Sequence, residues 1–251
     1  MNCKNIAITH YNYENPINLA YLNFIENAGF KPIVITPVNI KDVYNCSGLL
    51  LPGGKDITPE LFGKNNTYSF CDPELDKFEF NIFNFFFKRN FPIFGICRGH
   101  QLIFYVFFYH LIKKSTSPDY ISHNLSFSQH LFNHFAYCNK KIFINKIKHF
   151  TTKIREYPQH KVYTFENEEL KVNSFHHQGI VLKKKCFDKI KNNNLKIYKN
   201  YPIEILAYTQ DGMPKEEVLI EALQIRNKPI RSVQWHPEEI NSIELIQEFF
   251  K

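Results

Sequence analysis

The run Phe94-Gly95-Ile96-Cys97-Arg98-Gly99-His100-Gln101 constrains this chain more than any other. It closes a short apolar stretch that starts at Phe91, and it opens a long apolar helical stretch that ends near Ile112. A nucleophile with a glycine two residues away on either side, at a strand-to-helix junction, is an elbow. Such a turn holds the nucleophile in a strained backbone conformation, and the small flanking residues let strand and helix approach. The thiol then stands clear of the sheet, over a helix amino terminus. Partial positive charge there favours the thiolate, the reactive form of cysteine. Cys3, Cys46, Cys71, Cys138 and Cys186 lack this context and read as small buried hydrophobes.

The segments before the elbow alternate strand with helix. Asn5 to His10 reads as a strand. Pro16 to Ala28 reads as a helix with Leu19, Leu22, Phe24 and Ile25 as buried positions and Gly29 past its end. Strands follow at Lys31 to Thr36 and Gly48 to Leu51, the latter stopped by Pro52-Gly53-Gly54, and a helix at Glu74 to Arg89. This alternation predicts a mostly parallel sheet covered on both faces. Lys113 to Val172 is polar and irregular, with strand candidates at Lys141 to Ile144 and Lys161 to Phe165. Ile203 to Gln210 and Val218 to Ile225 flank a Gly-containing turn and read as a hairpin. Pro229 to Trp235 reads as a further strand and Glu239 to Phe249 as a closing helix.

At 251 residues and 44% hydrophobic, the chain suits a single domain over 1–251. No Cys-x-x-Cys occurs, so no metal site is expected, and free thiols in a reducing cytoplasm are. The start carries no signal-peptide pattern. The most apolar run, Leu102 to Ile112, is too short to span a bilayer. The net charge of +7 comes from scattered lysines without a nucleic-acid motif. That excludes nucleic acid as the expected partner but suits an anionic small ligand.

A thiol nucleophile needs a base and a group that orients the base. Gln234-Trp235-His236-Pro237-Glu238 supplies both. Proline keeps its predecessor extended, and in an extended segment residues two apart point the same way. His236 would take the thiol proton and return it to the leaving nitrogen, while Glu238 fixes the ring tautomer and favours the imidazolium. Of the eleven histidines, His176 and His177 compete for the role. No acid lies two residues from either, so they read as pocket lining.

Four separated blocks carry a resemblance. They are Leu51-Pro52-Gly53-Gly54-Lys55-Asp56-Ile57-Thr58-Pro59, the Cys97 elbow, Val172-Asn173-Ser174-Phe175-His176-His177-Gln178, and Val233-Gln234-Trp235-His236-Pro237-Glu238. The chain resembles the class I glutamine amidotransferases, and within them the free-standing γ-glutamyl hydrolases, which include the γ-glutamyl-γ-aminobutyrate hydrolases. The resemblance implies a three-layer, flavodoxin-like α/β fold with an added β-hairpin region. It also implies a Cys97-His236-Glu238 triad and an oxyanion hole of backbone N–H groups from Gly54 and Arg98. Gly53, Gln101, Ser174, His176, His177 and Gln178 become substrate-binding candidates. No cofactor is implied. The Arg98 side chain has two readings, a partner for a substrate carboxylate or for an acid such as Glu74 or Asp56.

One departure concerns the substrate. The related hydrolases usually carry a glycine pair at the end of the elbow helix, and Tyr105 to Leu111 has none; Lys113 to His134 also drifts from the pattern. The wall around the leaving group therefore differs. The expected reaction is hydrolysis of a γ-glutamyl amide through a glutamyl thioester, releasing glutamate and an amine. Aminobutyrate, a polyamine conjugate and an anionic species such as a nucleotide-linked phosphoramidate all stay open, and the cationic balance leans toward the last. Two alternatives are a glutaminase subunit that feeds ammonia to a separate synthase, for which His100 after Gly99 speaks, and a non-catalytic binding protein.

Overall fold

The structure is a computed structural model that describes residues 3–11, 17–67, 69–107, 125–128, 159–192 and 203–251. Its frame is a set of parallel strands in the order β2 (Lys31–Ile35), β1 (Asn5–Thr9), β3 (Gly48–Leu51), β4 (Ile93–Ile96) and β11 (Ile230–Val233). Alternation along each strand sorts its side chains onto two faces. Ile6, Ile8, Leu50, Phe94 and Ile96 pack with Phe24 and Ile25 of α1 (Leu19–Asn27) and Ile246 of α5 (Glu244–Gln247). Ala7, Leu49, Leu51 and Ile93 pack with Ile82, Phe83 and Phe86 of α2 (Pro73–Lys88) and Leu102 and Ile103 of α3 (Arg98–Phe104). Helices therefore cover both faces, as the alternation predicts.

The second half of the sheet is antiparallel. From β11 the order continues through β10 (Glu217–Ile225), β9 (Ile203–Thr209), β6 (Gln159–Thr164) and β7 (Glu169–Asn173). The long β10 also pairs with β8 (Gly179–Lys183), which pairs with β5 (Leu125–Ser128), and α4 (Lys184–Asn192) follows β8 directly. The β9–β10 hairpin lies where the sequence predicts it, with register shifts around Glu221. β7, β8 and α4 have no counterpart in the sequence reading. β7 exposes Glu169, Leu170 and Lys171, so its composition resembles a loop, and α4 carries four lysines among nine residues with Cys186, Phe187 and Ile190 turned inward. The strand candidate at 141–144 lies outside the described residues.

Three local expectations change. On α1, Leu19 is exposed and Tyr21 takes the inward place, because Tyr21, Phe24, Ile25 and Ala28 form the stripe at helical spacing. The predicted closing helix is shorter than its apolar pattern suggests: a 3₁₀ turn spans Pro237–Glu239 and α5 only Glu244–Gln247. The elbow helix runs regularly to Phe104, and Tyr105 to Phe107 continue as one wider π turn. Among the other cysteines, Cys46 and Cys186 are buried, Cys71 is half-buried, and Cys3 is exposed rather than buried; Cys138 lies outside the described residues. All five described cysteines are free thiols. Among the described residues no helix is long and apolar enough to cross a membrane.

Candidate active site

β3, β4 and β11 are neighbours and parallel, so their carboxyl ends share one edge of the sheet. Gly53, Cys97 and His236 follow those three ends, and this topology alone brings together residues from opposite ends of the sequence. Cys97 occupies the turn between β4 and α3 with φ +50° and ψ −100°. A non-glycine residue there carries strain of about 1–3 kcal/mol, held by the surrounding packing. The flanking glycines supply that packing. A Cβ on Gly99 would lie 2.3 Å from the Leu51 carbonyl oxygen, and one on Gly95 would lie 2.7 Å from the Gly99 backbone. Only glycine lets strand and helix meet this closely.

The imidazole reaches the same spot from β11. A Cβ on Gly53 would lie 2.8 Å from His236 Cε1, 2.7 Å from Tyr21 Oη and 3.4 Å from Cys97 Cβ. Thiol side chain, imidazole and phenol thus converge on the open face of one glycine. His236 Nδ1 donates to Glu238 Oε1 at 2.7 Å. An ionised carboxylate only accepts, so Nδ1 carries the hydrogen and Nε2 is the nitrogen left to face chemistry. The contact arises differently from the sequence argument. His236 and Glu238 are joined by a 3₁₀ turn, not by an extended strand. Asn173 at the end of β7 clamps the backbone of His236, accepting from its N–H and donating to its carbonyl, both at 2.9 Å. Since β7 is four strands from β11 along the sheet, the antiparallel half curls back over the site.

Charge at His236 is set by two opposed effects. Burial works against the imidazolium, while the Glu238 carboxylate and the Cys97 sulfur favour it; the partners win, and the pKa stands well above 6.5. Tyr21 Oη accepts from the Gly53 N–H at 2.9 Å and lies 3.4 Å from His236 Nδ1.

The Arg98 side chain belongs to the scaffold. Its two terminal nitrogens pair with Asp76 and Glu79 of α2, and all three groups are buried. Glu79 also accepts from Thr9 Oγ1 at 2.6 Å, and Asp76 accepts from the Thr58 N–H at 3.0 Å. Neither Glu74 nor Asp56 is its partner, and the guanidinium is committed away from any substrate carboxylate. Removing the arginine would strand two carboxylates in the core, at a cost of about 3–5 kcal/mol. Gly54 lies over this side chain, its Cβ position 3.6 Å from Arg98 Cδ.

The other candidates form a hydrogen-bonded frame. Gln101 donates to the Gln178 carbonyl at 3.1 Å and to Gln234 Oε1 at 3.3 Å, and Gln234 Nε2 lies 3.5 Å from Cys97 Sγ. The Gln178 side chain pins the loop after β3, accepting from the Ile57 N–H and donating to its carbonyl, each at 3.1 Å. His176 Nδ1 bonds the Gln178 carbonyl at 2.9 Å, and Ser174 is buried. His177 does have an acid, Asp56, at 2.9 Å, brought by folding rather than by nearness in sequence. Tyr21, Asn173, Asp76, Glu79 and Gln234 were absent from the sequence candidates. Asn173 and Gln234 lie within two of the resembling blocks, and Tyr21 shares a helical stripe with Phe24 and Ile25; Asp76 and Glu79 carried no such signal.

Comparison with known proteins places the chain in a family. The protein described as "Putative glutamine amidotransferase-like protein YvdE" of Lactococcus lactis subsp. lactis is 28% identical over 221 residues, covering 82% of this chain and 74% of that one. Gamma-glutamyl-gamma-aminobutyrate hydrolase PuuD of Escherichia coli strain K12 is 27% identical, covering 87% and 76%. Among solved structures, the glutaminase domain of Trypanosoma brucei CTPS with bound acivicin superposes with a TM-score of 0.53 at 12% identity, over 98% of this chain and 92% of that one. A match to the Peptidase C26 family model extends over residues 2–238, through the elbow and the His-Pro-Glu turn, and the chain belongs to that family of glutamine amidotransferase-like hydrolases.

Proposed function

We propose that this protein is a cysteine-dependent hydrolase of small γ-glutamyl conjugates. The observation that carries the reading is the convergence of the strained Cys97 elbow and the Glu238-bound His236 on Gly53. In the first half-reaction His236 takes the thiol proton and the sulfur attacks the γ-carbonyl carbon. Negative charge then forms on the former carbonyl oxygen, and the backbone N–H groups of Gly54 and Arg98 stabilise it. Collapse breaks the C–N bond, His236 gives its proton to the departing nitrogen, and a glutamyl thioester remains. Water, deprotonated by His236, attacks the thioester; glutamate leaves and the thiol is restored.

The competing reading, a glutaminase subunit, drew on His100. That ring is fully buried and bonded to Ser232 Oγ at 2.9 Å, so it presents nothing to a partner synthase. The test is glutamate release from a panel of γ-glutamyl conjugates by the isolated chain. Cys97→Ala should abolish turnover and leave the thermal melt unchanged, since a smaller side chain fits the elbow. Retained turnover in that variant would refute the nucleophile, and turnover only with an added synthase would favour the glutaminase. The net charge of +7 favours conjugates of anionic amines; preference for polyamine conjugates would reject that part.

A further inference from the structure

We infer that Tyr21 is a positioning residue whose hydroxyl locks the Gly53-Gly54 turn to the His236–Glu238 pair. The phenol has one proton and two acceptor lone pairs. One lone pair takes the Gly53 N–H at 2.9 Å, so Tyr21 holds the backbone immediately before Gly54. Its oxygen also lies 3.4 Å from His236 Nδ1, the atom that donates to Glu238 Oε1 at 2.7 Å. Burial, with Glu238 and the Cys97 sulfur nearby, pushes the phenol well above 10, so the hydroxyl keeps its proton at any working pH.

Tyr21 itself is buried in the core cluster that holds Phe24, Ile25 and Cys97, and α1 contacts the 3₁₀ turn that carries Glu238. A rigid ring anchored in the core therefore sets the distance between two parts that must act together. One part stabilises the oxyanion and the other moves the proton. A misplacement of a fraction of an ångström in preorganised donors is costly to rate, because they must point at charge that exists only in the transition state. The glycine at position 53 is part of the same device, since any Cβ would strike both Tyr21 Oη and His236 Cε1.

This inference deepens the proposed mechanism, and its test is independent of γ-glutamyl recognition. Two reagents are followed by mass spectrometry at the Cys97 peptide. Acylation by 4-nitrophenyl acetate passes through an oxyanion; alkylation by iodoacetamide does not. Tyr21→Phe, which keeps the ring and loses only the hydroxyl, should slow acylation at least tenfold and change alkylation less than threefold. Gly53→Ala perturbs the same contact from the other side and should show the same split, which keeps the test open if Tyr21→Phe does not fold. Unchanged acylation, or equal losses in both reactions, would overturn the coupling. If the variants show the split but wild-type protein hydrolyses no γ-glutamyl conjugate, the substrate reading fails and the coupling stands.

Discussion

His100 and His236 are two buried imidazoles near one thiol, and the fold drives them in opposite directions. His100, on the elbow helix, has no exposed surface and meets the Ser232 hydroxyl; burial pushes its pKa down to about 3. His236 retains 12% of its side-chain surface, meets a carboxylate and a sulfur, and stands well above 6.5. Burial opposes charge in both. Only His236 has an anionic partner, and that partner reverses the sign. The difference teaches that nearness to Cys97 in sequence does not decide which imidazole the fold charges: His100 is three residues from Cys97 and serves packing.

The comparison can be broken experimentally. The largest effect is expected from His236→Ala, which should lower kcat for γ-glutamyl hydrolysis about 10³-fold, within the range for general acid–base groups, with little change in the melt. Loss of comparable size from a conservative change at His100 would erase the contrast. Glu238→Gln should be milder, about a hundredfold at most, because the amide oxygen can still accept from Nδ1 while the charge is gone. The His236 Cε1 proton resonance should then titrate at lower pH, toward the behaviour of His100; an unchanged titration would assign the upward shift to another group.

The smallest effect is on stability. The folded pKa of His100 lies below its unfolded value of about 6.5, so the unfolded chain binds the proton first. The ring's contribution is complete above that value and is lost as pH falls toward 3. Between pH 7 and pH 4 the loss is on the order of 3 kcal/mol. Denaturant midpoints for wild type and His100→Asn should converge over that interval, although the variant starts lower at pH 7. Parallel curves would mean that another group carries the acid sensitivity.

Legibility followed the range of the interactions. The first strands, α2 and the elbow could be read because their periodicity and punctuation are local: Asp72 caps α2 with Pro73 at its first position, and the glycines at 95 and 99 mark a close crossing. The turn holding His236 and Glu238 was legible as a block but not in its geometry, since the 3₁₀ conformation became visible only in the folded chain. β7 escaped because three of its five side chains are exposed and only Val172 and Asn173 turn inward. The partner of Arg98 stayed open in the sequence because choosing among nearby acids requires knowing which face of α2 meets α3.

Taken alone, the sequence determined an α/β frame, a cysteine at a glycine-flanked elbow, and a histidine with an acid two residues on, because turns and periodicity are encoded over a few neighbouring residues. Tertiary structure decided that β3, β4 and β11 end side by side, that Tyr21 and Asn173 hold the imidazole's surroundings, and that Arg98 belongs to the scaffold. Those outcomes depend on which surfaces exclude water together, and burial of that kind is a property of the whole chain.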